Sequence, residues 1–172
     1  MKTIWIDNPF IRDINMDLFE RFITFIEALN KEDVDYVLIG GYAVILYGMP
    51  RLTQDIDIFV NPHDDNIIRL KKALFSVFHD MSIEEINRDM LVNYQVVRYG
   101  SPDGFYIDII TRLGDAFCYE DIAWDSKEID GHVVRIAKAE TLYKMKNDTV
   151  RAIDKADALY LHELMKKKKH DL

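Results

Sequence analysis

Hydrophobic and polar positions along the chain sort into short strands and longer helices. Tyr36-Val37-Leu38-Ile39 is an apolar run of strand type. Asp55-Ile56-Asp57-Ile58-Phe59-Val60 alternates polar and apolar before turning wholly apolar, as a strand does when it enters a sheet from its exposed end. Between them, Tyr42 to Tyr47 reads as a short helix broken by Gly48-Met49-Pro50. Helices are predicted over 16–30 and 64–78 and a strand over 91–99. A turn at Ser101-Pro102-Asp103-Gly104 then leads into the β-rich segment Gly104 to Ile110. An irregular, aromatic-containing stretch follows, with Gly114-Asp115 read as a turn, and then a short strand over 132–136. From Lys138 onward one long final helix is expected. In it Leu142, Met145, Ile153, Ala156, Tyr160 and Leu164 follow three- and four-residue steps and form a core stripe.

The chemistry concentrates between Val37 and Val60. Residues i and i+2 of a strand share a face, so Asp55 and Asp57 project together, with Cα atoms roughly 6.5–7 Å apart. Two anions so close either share a proton or hold a cation. Mg²⁺ suits carboxylate oxygen and is commonly completed by nucleotide phosphates. Two unrelated acids on a solvated strand end are the alternative reading. Upstream, Gly40-Gly41 lies at a strand-to-helix turn, where backbone N–H groups and the helix dipole favour an anion such as phosphate. Arg51, Thr53 and Gln54 supply donors just before the acidic strand. Asp108 is the only charge inside its apolar segment, a costly placement unless the group is paired or metal-bound. A half-exposed edge strand is the alternative there, and Asp115, in its turn, is the weaker candidate for a third carboxylate.

Gly40-Gly41, a thirteen-residue spacer and Asp55-x-Asp57 resemble the signature of the polymerase-β-like nucleotidyltransferase superfamily. The fuller pattern, Gly40-Gly41-x-Ala43 followed by Gly48-x-x-Arg51-x-Thr53-x-Asp55-Ile56-Asp57, is similar to minimal bacterial members. These include small aminoglycoside and lincosamide nucleotidyltransferases and AbiEii-type toxins. The resemblance implies an α/β (α+β) nucleotidyltransferase fold: a small mixed β-sheet, helices packed mainly on one face, and a long C-terminal helix. It implies transfer of a nucleoside monophosphate from a nucleoside triphosphate to an acceptor hydroxyl. Asp55 and Asp57 would hold two Mg²⁺ ions, and Asp108, on a nearby antiparallel strand, would complete the first metal site. Gly40 and Gly41 would cradle phosphates, with Arg51 and Thr53 adding contacts and Lys146 neutralising the pyrophosphate. The ending Leu142-x-x-x-Lys146, then Arg151, Asp154 and Asp157, also resembles the family's, although Ile153 stands where relatives often carry a basic residue. On one ideal helix Lys146 and Asp157 return to within about 20° of each other.

Composition narrows the reading further. At 172 residues and 49% apolar content the chain can bury one substantial core. A single domain over 1–172 is expected, its core at about 16–137 and its C-terminal helix at about 138–167. A net charge of −8 disfavours non-specific nucleic-acid binding. The basic run Lys166 to Lys169 reads as a solvated tail that complements the helix dipole. A lone Cys118 excludes an intramolecular disulfide and suits a reducing cytoplasm. His63, His79, His132, His162 and His170 show no metal-ligand spacing. No segment reaches the roughly 18 apolar residues of a membrane span, and the charged opening around Asp7 and Arg12 lacks a signal-peptide pattern. Expected partners are a nucleoside triphosphate, an acceptor that is tRNA, protein or a small molecule, and a cognate toxin or antitoxin, with no membrane. A catalytically inactive binding module and an antibiotic nucleotidyltransferase are the competing functions.

Overall fold

The fold is built around a six-stranded mixed sheet. In the computed structural model, residues 9–102 and 104–170 are described, with side chains over 18–167 apart from residue 103. Asp7, Arg12's side chain, Asp103, and the side chains of Lys168, Lys169 and His170 lie outside the described residues. The helices are α1 (Pro9–Lys31), α2 (Gly40–Leu46), α3 (Asp64–Phe78), α4 (Arg88–Asn93), α5 (Ala139–Asn147) and α6 (Ala152–His170). The strands are β1 (Tyr36–Ile39), β2 (Asp55–Val60), β3 (Val97–Gly100), β4 (Tyr106–Ile110), β5 (Arg112–Leu113), β6 (Phe117–Cys118), β7 (Trp124–Ile129) and β8 (His132–Ala137). The sheet runs β3-β4-β2-β1-β8-β7, and β5 and β6 form a separate hairpin at the Gly114-Asp115 turn.

Alternation in β2 sorts its side chains as the pattern predicts. Ile56 and Ile58 are fully buried, and their register partners Ile107 and Ile109 share their face. Phe22, Phe25, Ile26 and Leu29 of α1 and Ile67, Leu70 and Leu74 of α3 belong to the same core. Phe78 at the end of α3 closes it against Tyr99 of β3, with ring centroids 5.4 Å apart. The other face of β2 and β4 carries Asp55, Asp57 and Asp108 before turning apolar at Phe59 and Ile110.

β1, β2 and α3 occupy the predicted positions, but four expectations change. The strand predicted over 91–99 is split. Asn87 caps α4 by accepting the Met90 N–H at 3.0 Å, Leu91 is buried in that helix, and pairing begins only at Val97. β4 lies parallel to β2, not antiparallel, and its antiparallel partner is β3. β7, within the stretch read as irregular, is a polar edge strand. It joins β8 through Asp130-Gly131, both at positive φ (48° and 82°), as a two-residue hairpin turn requires.

The fourth change concerns the final helix, which breaks between Asn147 and Ala152 so that α6 folds back on α5. Asp154, Asp157, Ala158 and Leu161 form the buried face of α6, whereas Ile153 and Ala156 are exposed. The expected core stripe is therefore rotated, and two carboxylates lie where apolar side chains were expected. Tyr160 docks α6 onto the end of α2 by donating its hydroxyl to the Tyr47 carbonyl at 3.1 Å.

Asn66 ties α3 to the chain entering β1. Its amide donates to the Asp35 and Asn61 carbonyls at 3.0 and 2.8 Å and accepts the Asp35 N–H at 2.7 Å. The residue is buried and the Asp35 carbonyl keeps the Asn61 N–H, so Asn66→Ala strands two backbone groups, the Asp35 N–H and the Asn61 carbonyl, and is expected to cost about 2–3 kcal/mol. Urea unfolding at constant slope is the measurement, and an unchanged midpoint would show that water replaces the amide.

Candidate functional site

Strand register assembles the acidic face. Ile39 pairs with Asp57, Asp57 with Asp108, and Asp108 with Arg98, so these residues form one rank across β1, β2, β4 and β3. Asp55 lies two residues before Asp57 on the same face. The structure thus brings Asp55, Asp57 and Asp108 together. Arg98 was not singled out in the sequence; the antiparallel register of β3 against β4 sets it opposite Asp108.

Arg98 donates from Nε and Nη2 to the two Asp108 oxygens, each at 2.7 Å, and from Nη2 to Asp55 Oδ2 at 3.0 Å. Thr53 donates its hydroxyl to Asp55 Oδ1 at 3.1 Å. Asp57 has neither partner. The Gly41 N–H reaches it, but burial and the charges of Asp55 and Asp108 dominate, pushing its carboxyl up to about 7. Gly40, at φ +67°, lies against the Asp57 carboxyl so closely that any Cβ would overlap it.

Gly40 and Gly41 are the first residues of α2 itself. A Cβ on Gly41 would sit 2.7 Å from Thr53 Oγ1 and 3.0 Å from Arg51 Nη2, so donors crowd the glycines directly. Arg51 is fixed by Asp157, to whose Oδ2 its Nη1 donates. Lys146 contacts the same oxygen at 2.8 Å and Asp154 Oδ1 at 2.8 Å. The other Asp157 oxygen is buried without a hydrogen-bond partner, so its charge rests on Lys146 and Arg51. Burial alone would raise the Asp154 carboxyl. Hydrogen bonds from Lys146, Arg151 and Thr149 outweigh it and hold the group below the usual carboxylate range.

Eleven residues along one straight helix separate two side chains by about 16 Å, so a shared face could never have joined Lys146 to Asp157. The break at 148–151 makes the contact. Thr149 and Arg151, from that turn and its end, donate to Asp154 Oδ2 at 3.0 and 2.6 Å and pin the reversal.

As donors, the three carboxylates suit a hard divalent cation, and Asp57 carries repulsion that such a cation would relieve. Yet no group of three His, Cys, Asp or Glu side chains among the described residues is arranged to hold a metal ion as it stands. Arg98 is paired instead with Asp108 and Asp55. Asp115 lies outside the cluster in the β5–β6 turn. A broad surface groove lined by Glu27, Trp124, His132 and Arg135 contains none of these residues. Among the described residues, no helix is long and apolar enough to cross a membrane.

The sequence matches no protein-family model and no curated protein. By structure the chain is similar to an antigenic nucleotidyltransferase-like protein from Paracoccidioides brasiliensis, with a TM-score of 0.54 and 17% identity over 84% of this chain and 75% of that one. A Helicobacter pylori protein aligns at a TM-score of 0.47 and 20% identity, covering 86% of this chain and 66% of that one. A Thermotoga maritima protein provisionally named a nucleotidyltransferase aligns at 0.43 and 16% identity, over 98% and 97% of the two chains. The first of these likenesses, with the mixed sheet and helices described above, defines the class: an α+β nucleotidyltransferase-like fold. At this identity it defines the fold alone.

Asp57 carries a pH signature. Unfolded, it loses its proton near pH 4, as aspartate ordinarily does (about 3.9 in model peptides); folded, it keeps it up to about 7. Between those values the native state binds more protons, so stability falls as pH rises through the window. In EDTA, the melting temperature of Asp57→Asn is expected to match wild type near pH 4 and exceed it increasingly up to pH 7. The gap should be about 2–4 °C for each kcal/mol of repulsion removed. A gap that does not vary with pH would refute the raised carboxyl.

Proposed function

We propose that this protein is a metal-dependent nucleotidyltransferase, moving a nucleoside monophosphate from a nucleoside triphosphate to an acceptor hydroxyl and releasing pyrophosphate. The observation that carries the reading is the register of Asp57 against Asp108, with Asp55 beside them and the Gly40-Gly41 turn packed on Asp57. Asp55, Asp57 and Asp108 would hold Mg²⁺, which supplies charge neutralisation and polarisation of the phosphoryl oxygens. Gly41, Arg51 and Thr53 would receive the phosphates. Lys146 and Arg51, both tied to Asp157, are arranged to balance the charge of the leaving pyrophosphate. The ending around Lys146, Arg151, Asp154 and Asp157 leans toward the toxin-like members of the superfamily, with tRNA or protein as acceptor and an antitoxin as partner. A small antibiotic is the competing acceptor.

A second reading has its own support. Because Arg98 already neutralises Asp108 and Asp55, the same fold without catalysis would be a binding module whose carboxylates are held permanently by a side chain.

Label transfer separates the two. The protein with Mg²⁺ or Mn²⁺ is offered each nucleoside triphosphate labelled at the α-phosphate together with tRNA, protein or aminoglycoside acceptors. Transfer is expected with one acceptor class, and Asp57→Asn should lower it by about 100-fold or more. Absence of transfer to all three classes, with nucleotide binding indifferent to EDTA, favours the binding module. Gly41→Ala, whose methyl group would displace Thr53 and Arg51, should weaken Mg²⁺-nucleotide binding by about tenfold by calorimetry, roughly the value of one charge-assisted hydrogen bond.

A further inference from the structure

We propose that Arg98 is a built-in counter-ion that competes with the divalent cation for Asp108 and Asp55, so that metal binding and release of the Arg98 guanidinium are one coupled event. The inference rests on the metal-dependent reading above but concerns a residue that reading does not use. Its basis is geometric. Arg98 lies on β3, an edge strand of the sheet, directly opposite Asp108. Its fork covers both Asp108 oxygens and extends one nitrogen to Asp55, bridging two carboxylates as a metal ion would. Like-charge crowding on this face makes some cation necessary. Lys146 acts on this face only through its charge at Asp57, because its ammonium is in contact with Asp154 and Asp157.

Two cations do not share these oxygens comfortably. A carboxylate has lone pairs enough for several partners. A divalent ion bridging Asp108 and Asp55 would nevertheless stand within a few ångströms of the guanidinium, and their repulsion opposes joint occupancy. Arg98 can leave. Its side chain is 52% exposed, and the contacts identified for its guanidinium are Asp108, Asp55 and the half-exposed Tyr106 ring, 5.5 Å away. The fork therefore stabilises the metal-free fold and weakens metal affinity at once.

The test measures Mn²⁺ binding by electron paramagnetic resonance and melting temperature in EDTA for wild type, Arg98→Gln and Arg98→Lys. Arg98→Gln removes the charge but keeps an amide that can still hydrogen-bond. It is expected to bind Mn²⁺ at least tenfold more tightly and to melt lower in EDTA, with the loss recovered at saturating Mn²⁺. Arg98→Lys, which keeps the charge but loses the fork, should fall between. If Arg98→Gln does not fold, Arg98→Lys alone decides, by a gain or no gain in Mn²⁺ affinity over wild type. Equal or weaker Mn²⁺ binding by the variants overturns the proposal, and so does failure of every form to bind Mn²⁺. Tighter binding by Arg98→Gln without nucleotide transfer by any form upholds the competition while defeating the enzymatic reading. Transfer by wild type with no gain in the variants does the reverse.

Discussion

Crowding of negative charge on one face of the sheet is the constraint on which the site depends. Asp55 and Asp57 are adjacent on that face by the pleat of β2, and Asp108 is brought alongside by the parallel register of β4. None can turn to the opposite face, which is filled by Ile56, Ile58, Ile107 and Ile109 in the core. Hydrophobic burial on one side thus compels electrostatic repulsion on the other. The protein relieves it unevenly: Arg98 serves Asp108 and Asp55, while Asp57, wedged against Gly40, is left to hold its proton up to about 7.

The same logic of buried charge organises the C-terminal helices. Asp154 and Asp157 lie on the inward face of α6, a placement that is costly unless cations accompany them. Lys146 comes from α5, Arg51 from the loop before β2, and Arg151 from the start of α6. This network orients Arg51 beside the glycine turn and joins the loop before β2 to the C-terminal helices. A mismatch in α6 packing would therefore reach Arg51 and Lys146 before it reached the carboxylates.

Much of this was legible in local pattern. The alternation of β2 placed Asp55 and Asp57 on one face, the apolar run marked β1, and the glycine pair with its spacer pointed to a nucleotidyltransferase-like fold. The helix over 64–78 followed from sequence as well. Other signals were present and went unread: Asn87 as the cap of α4 and Asp130-Gly131 as the β7–β8 turn. Each is a polar residue whose local role competes with the simpler reading of a solvated surface.

By itself the sequence determined that Asp55 and Asp57 share a face and where β1, β2 and α3 lie, because strand and helix periods are properties of neighbouring residues. Only the tertiary structure decided that β4 runs parallel to β2, that the C-terminal segment reverses at 148–151, and that Asp154 and Asp157 face inward. Those outcomes depend on pairing residues far apart in the chain, such as Arg51 with Asp157, 106 positions away, and Arg98 with Asp55, 43 away. No local period encodes such pairs. They are selected by the free energy of closing one core and compensating its buried charges together.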